Sequence, residues 1–132
     1  MSQANVDIFL SVLKAFQEGD QETWVQNFAE DAEFIPQRAP IQGTYRGHAD
    51  IRAFLADNEE TFSIFHPSYD DVRDCGDEVL ALGKIRIKAK GGGVEIETPS
   101  ALVVRYRDGK VVRLQDHGDR EQAMRAAGLD AV

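Results

Sequence analysis

The sequence predicts an α+β fold, with helices first and an antiparallel sheet after them. Three observations point to it. Apolar residues recur at steps of three and four through the first part of the chain, they alternate with polar ones from Val79 onward, and "RDGK" marks a tight turn within the alternating part. Helices followed by a run of strands pack on one face of a sheet.

Val6, Phe9, Leu13 and Phe16, with Val12 beside them, form the apolar stripe of a first helix. Gly19 suits the left-handed position that closes it, and Asp20 can cap the next helix. That second helix is short and turns Trp24, Val25, Phe28 and Ala29 inward. "AEFIP" reads as a brief strand, followed by a Pro- and Gly-bearing loop through Gly43. Ile51, Phe54, Leu55 and Phe62 mark a third helix that starts near His48, just after Gly47.

The period then becomes two. Val79, Ala81, Ile85, Ile87 and Ala89 alternate with Leu80, Leu82, Lys84, Arg86 and Lys88, and "VEIETPSALVVRY" alternates again. Asp108–Gly109 forms a two-residue turn into the last strand, "VVRLQDH". Asp119 with Gln122 makes a capping box for the final helix, which Gly128 closes.

The length of 132 residues suits one domain spanning 1–132. Fifteen basic against 23 acidic residues leave a net charge of −8, which argues against nucleic acid and against an anionic membrane surface. Cys75 is the only cysteine, so no internal disulfide forms, and a reducing cytoplasm is the expected location. The N-terminal apolar residues are interrupted by Asp7, Ser11 and Lys14, so neither a signal peptide nor a membrane span is expected. The three histidines lie far apart, and no phosphate-cradling glycine motif or serine-nucleophile elbow occurs. Neither a metal nor a cofactor is expected.

Hairpin registers assign the faces. Counting outward from Asp108–Gly109 sets Tyr106 opposite Val111, Leu102 opposite Gln115 and Ser100 opposite His117. A four-residue loop at Gly91–Val94 sets Lys90 against Glu95 and Lys88 against Glu97, so that opposite charges meet. The covered face then carries Ile85, Ile87, Ile96, Leu102, Val104, Tyr106 and Val111, with a polar group of Thr98, Ser100, Gln115 and His117 and, farther along, Arg113. Pro99 implies an edge or a bulge. Polar groups gathered at one end of an apolar face point to a wet cavity, because burying them unpaired costs about 1–3 kcal/mol each.

These faces select the candidate residues. His117 is the candidate acid or base, titrating near neutral pH; the competing reading makes it a wall residue bonded to Ser100. Tyr45 is the candidate oxyanion donor. Trp24, Phe28, Phe34 and Phe62, with Leu102, would line the cavity for an apolar ring system, or simply form core. Arg113 would bind a substrate carboxylate or pair with an internal acid. Asp119 is accounted for by capping; Asp116, His48 and His66 are read as outward-facing or surface residues.

The "EGD" helix break, "YRGHADIRAFL", "GGGVEIETPSALVVRYRDGKVVRL" and "DREQAMRAAGL" together resemble a SnoaL-like protein of the nuclear-transport-factor-2-like, ketosteroid-isomerase-like superfamily. The resemblance covers nearly the whole chain. It implies a cystatin-like, cone-shaped curved antiparallel sheet wrapped around N-terminal helices, with a pocket between them. It also implies a homodimer through the outer sheet face, here carrying Val103, Val112 and Leu114. Where the family usually has an aromatic or aliphatic residue this chain has His117, and no catalytic residue transfers by motif. The resulting expectation is a hydrophobic small molecule as partner, with any chemistry being cofactor-free proton transfer of the isomerase, cyclase or hydrolase type. The alternative is a ligand-binding or dimerisation module without turnover.

Overall fold

A computed structural model describes residues 2–37 and 43–129. Helix α1 (Ser2–Gln17) and the short α2 (Gln21–Gln26) are followed by β1 (Phe28–Ile35), β2 (Tyr45–Arg46) and α3 (Gly47–Thr61). Then come β3 (Phe62–Cys75), β4 (Glu78–Ala89), β5 (Ile96–Arg107), β6 (Lys110–Asp116) and α4 (Arg120–Ala126). The local signals act as expected at several points. Gly19 adopts φ +96° after α1, and the Asp20 carboxylate accepts the Thr23 N–H at 3.1 Å. Asp108 and Gly109 both take positive φ in the hairpin turn, and Asp119 caps α4 by accepting from the Glu121 N–H.

Six strands form one curved sheet in the order β2-β1-β6-β5-β4-β3. All neighbours are antiparallel except β1 and β6, which run parallel, so the sheet is mixed. The main core joins α1, α2 and α3 to the concave face through Val6, Phe9, Val25, Ile51, Phe54 and Leu55. A second cluster lies on the back of the sheet, where Ala123 and Met124 of α4 cover Leu80, Leu82, Ala101 and Val103.

The structure corrects several expectations. Phe28 opens a strand instead of closing α2, and Phe62 opens β3 instead of ending α3. β3 itself is a 14-residue strand that the alternation did not reveal. Its register slips between Phe62 and Ile64 and again between Tyr69 and Asp71, and each bulge resets the period-two pattern. Pro67 is tolerated because β3 is an edge strand.

In the β4–β5 hairpin, Ile87 pairs with Ile96 and Arg86 with Glu97, so Lys88 is not opposite Glu97. Gly91, Gly92 and Gly93 all have positive φ and open the loop wider than four residues. A slip of two preserves parity, so Ile85, Ile87 and Thr98 still face the helices. The charges still meet, now diagonally, as Lys84–Glu97 at 3.1 Å and Arg86–Glu95 at 3.3 Å.

The β5–β6 hairpin has the larger consequence. Tyr106 pairs with Val111 as counted, but Arg105 pairs with Arg113, so Val112 is an extra residue bulged out of the ladder. Every residue beyond it changes face. Leu114 and Asp116 turn to the covered side opposite Val104 and Leu102, while Arg113, Gln115 and His117 turn away from it. The surface expected to pair two copies changes too. Leu114 is in the main core, Val103 lies beneath α4, and Val112 alone of the three remains half-buried on the bulge. Pro99 sits where β6 has already ended, at a local edge of β5, and needs no bulge.

Candidate active site

Between the helices and the concave face lies a cavity of about 640 Å³. Phe9, Leu13 and Phe16 of α1, Trp24 of α2 and Phe54 and Leu55 of α3 form its helical wall. Ile85, Ile87, Ile96, Leu102, Val104 and Leu114 form its floor. The aromatic rings brace one another: Trp24 meets Phe28 and Phe34 edge-on at 4.8 and 5.5 Å, and stacks on Phe16 at 5.5 Å.

The polar end of this cavity is assembled from four adjacent strands, β3 to β6. Tyr69 of β3 pairs with Gly83 of β4, which pairs with Ser100 of β5, so the three stand in one row. With no side chain at Gly83, the Tyr69 hydroxyl comes within 2.7 Å of Ser100 Oγ. Ser100, 2% exposed, donates in turn to Asp116 Oδ2 at 2.7 Å. Gln37, just past β1, donates Nε2–H to the same Oδ2 at 3.1 Å and to the Pro99 carbonyl at 2.6 Å. Asp116 Oδ1 accepts the backbone N–H of Ala101 at 3.0 Å and of Gly118 at 2.9 Å. The carboxylate is 8% exposed.

The direction of this chain follows from counting hydrogens. Ser100 has one hydroxyl hydrogen, and Asp116 takes it. Tyr69 is therefore the donor to Ser100. Burial, with the Asp116 charge adding to it, holds the Tyr69 phenol well above its usual range, so it stays protonated. Among the described residues that line the cavity, Asp116 is the only acid, and none is a lysine, arginine or histidine.

The residues selected from sequence fare unequally. Trp24, Phe28, Phe34, Phe62, Thr98 and Leu102 line the cavity. Ser100 lies behind Tyr69 as its hydrogen-bond partner. Tyr45 packs against Phe34 and Phe54 at ring distances of 6.1 and 5.3 Å, outside the lining, so the oxyanion role assigned to it has no geometric support. Arg113, turned off the covered face by the bulge at Val112, meets no internal acid among the described residues: it stands 3.8 Å from the half-exposed Glu33 and donates to Gln115 Oε1 at 3.0 Å. His117 is off the cavity wall for the same reason, the bulge at Val112. Its Nε2 is buried without a hydrogen-bond partner among the described residues, and burial pulls its pKa down; Asp116 opposes this, Arg113 adds to it and Asp119 opposes it. His48 is half-buried at the start of α3, and its Nε2 bonds the Phe28 carbonyl at 2.7 Å, tying α3 to β1.

Tyr69, Gln37 and Asp116 were missed. Asp116 could have been found: the straight count put Arg113 inside and Leu114 outside, and a face more charged than its back signals a bulge. Among the described residues no cluster of three or more His, Cys, Asp or Glu side chains is placed to hold a metal. No helix among them is long and apolar enough to cross a membrane.

A helix-wrapped curved sheet enclosing an apolar cavity with one acidic end defines a class of small-molecule-binding domains. The family model for the SnoaL-like domain matches residues 10–114, and the chain belongs to that family. Solved structures agree in fold. A protein of unknown function from Burkholderia pseudomallei K96243, described as NTF2-like, is 22% identical over 92% of this chain and 95% of its own, with TM-score 0.79. TerC, co-crystallised with polyporic acid, is 22% identical over 95% and 98%, with TM-score 0.77. A protein from Shewanella denitrificans OS-217 described as a SnoaL-like polyketide cyclase is 20% identical over 93% and 95%, with TM-score 0.74. No curated protein matches the sequence.

Proposed function

We propose that this protein binds an apolar ring compound in the cavity and moves a proton on it without a cofactor, the proton finishing on Asp116. The supporting observation is the isolation of that carboxylate. It is the only acid among the described lining residues, and the Ser100–Tyr69 pair links it to a second lining residue by hydroxyl groups that can relay a proton. Low-dielectric surroundings strengthen such a chain, and a positioned acceptor contributes about 100-fold or more to proton removal. The aromatic wall favours a flat ligand. Two proteins of similar fold, TerC crystallised with polyporic acid and the one described as a polyketide cyclase, support a ring-bearing ligand.

A second reading, a binding protein without turnover, draws on a specific observation. Both oxygens of Asp116 already accept two hydrogen bonds each, which suits a structural carboxylate. The ring-opening of 5-nitrobenzisoxazole, a flat compound that reacts by loss of a C–H proton, separates the two. The wild type should accelerate it, Asp116→Asn should lower the rate about 100-fold, and His117→Phe should leave it unchanged. Equal rates for wild type and Asp116→Asn would leave the binding protein.

A further inference from the structure

The saturation of Asp116 bears on which ligands fit, given the cavity reading above, on which this inference rests. Every donor described around the carboxylate is committed to it: Ser100, Gln37 and the N–H groups of Ala101 and Gly118. Tyr69 spends its own hydrogen on Ser100. Tyr69 lines the cavity, and its oxygen keeps acceptor capacity and no hydrogen to offer.

We infer that the ligand presents a hydroxyl hydrogen, as a phenol or an enol does, to the Tyr69 oxygen, and that acceptor-only ketones and ethers are disfavoured. Bound so, the ligand extends an unbroken line of donors that ends on a carboxylate: ligand O–H to Tyr69, Tyr69 to Ser100, Ser100 to Asp116. Each bond polarises the next, so the first is stronger than a lone phenol–phenol contact. A ligand carbonyl at the same place meets an oxygen. To accept a bond there it must draw the Tyr69 hydrogen away from Ser100, leaving a 2%-exposed hydroxyl short of a donor.

The line also carries a proton. The ligand O–H breaks as a Tyr69 O–H forms, the former Tyr69 hydrogen passes to Ser100, and the former Ser100 hydrogen passes to Asp116 Oδ2. The electron pair stays on the ligand oxygen as a phenolate or enolate. No oxidant, reductant or other reactant takes part. Thr98 and Thr61, also on the wall, have hydroxyls that serve as donor or acceptor, and Asn58 of α3, whose Nδ2 is buried without a described partner, offers a donor there, so the preference is set at Tyr69 and not by the whole lining.

Calorimetric titration with 2-naphthol, 2-methoxynaphthalene and 2-acetylnaphthalene tests this, because the three share a ring system and differ in one polar group. The wild type should bind 2-naphthol about ten-fold more tightly than either of the others. Tyr69→Phe should bring the naphthol and the ether to within about two-fold of each other. Asp116→Asn should reverse the preference, since its amide donates to Ser100, Ser100 then donates to Tyr69, and the phenol hydrogen turns to the cavity. A wild type that prefers the ketone, or shows no preference, overturns the inference while leaving the cavity reading in place. If none of the three binds, both readings fail. Should Tyr69→Phe not fold, the Asp116→Asn reversal and the wild-type order still decide the matter.

Discussion

Gly83 stands directly across from Tyr69, so close that a Cβ at position 83 would lie 2.0 Å from the Ser68 carbonyl oxygen and 2.7 Å from the Tyr69 Cα. The obstacle is backbone, and β3 is bulged at this point. Gly83→Ala should therefore push β3 outward and cost about 3 kcal/mol in chemical denaturation. It should also separate Tyr69 from Ser100, lowering affinity for 2-naphthol more than for its methyl ether. Equal loss for both ligands would mean that the row merely holds the sheet together.

Leu114 should behave as a cavity-wall residue. Leu114→Ala should cost about 2 kcal/mol, the low end for such truncations because the cavity already relieves packing on one side. It should also enlarge the cavity and admit bulkier naphthalene derivatives. Sedimentation of Leu114→Ala should match that of the wild type, whatever the wild-type oligomeric state is.

Asp116→Ala should cost about 3 kcal/mol, because it strands the Ser100 hydroxyl and the Ala101 and Gly118 N–H groups together. Asp116→Asn keeps an oxygen for the two backbone donors and should lose far less. Matching melting curves for the two variants would show that those donors find water.

His117 makes stability depend on pH. Its folded pKa lies below 6.5, chiefly through burial, so as pH falls the unfolded chain takes up the proton first. The contribution is fully present above about pH 6.5 and is lost as pH falls from there toward the folded pKa. His117→Phe should flatten the denaturation midpoint across that window. An unchanged slope would assign the acid sensitivity to other groups.

Removing the Asp119 cap with Asp119→Ala should cost about 1 kcal/mol and loosen α4 from the back of the sheet. Amide exchange should then quicken around Ala101 and Val103, which α4 covers, and not at Phe54, across the sheet.

Features set by one or two residues were legible in the sequence: the Gly19 stop, the Asp119 cap and the Asp108–Gly109 turn. So was the parity of β4 and β5, because a loop error of two residues leaves Ile85 and Ile87 on the same side. Of the aromatic wall, Trp24 followed from helical spacing, whereas Phe28, Phe34 and Phe62 line the cavity from strands. What failed was anything resting on an uninterrupted count. One extra residue at Val112 exchanged His117 for Asp116, and two slips in β3 hid Tyr69. Gln37 had no signal at all, since only the folded chain brings it to Asp116 and Pro99, over 60 positions away.

The bulge at Val112 also bears on how such chains diverge. Because the ladder absorbs one residue between Val111 and Arg113, a descendant lacking it could zip straight from the turn and still set Leu114 and Asp116 against Val104 and Leu102. Single-codon insertions and deletions there would be nearly silent for the cavity. Homologues compared by distance from the hairpin turn would then appear to have exchanged an acid for its neighbour, although the side chain facing the ligand had never changed.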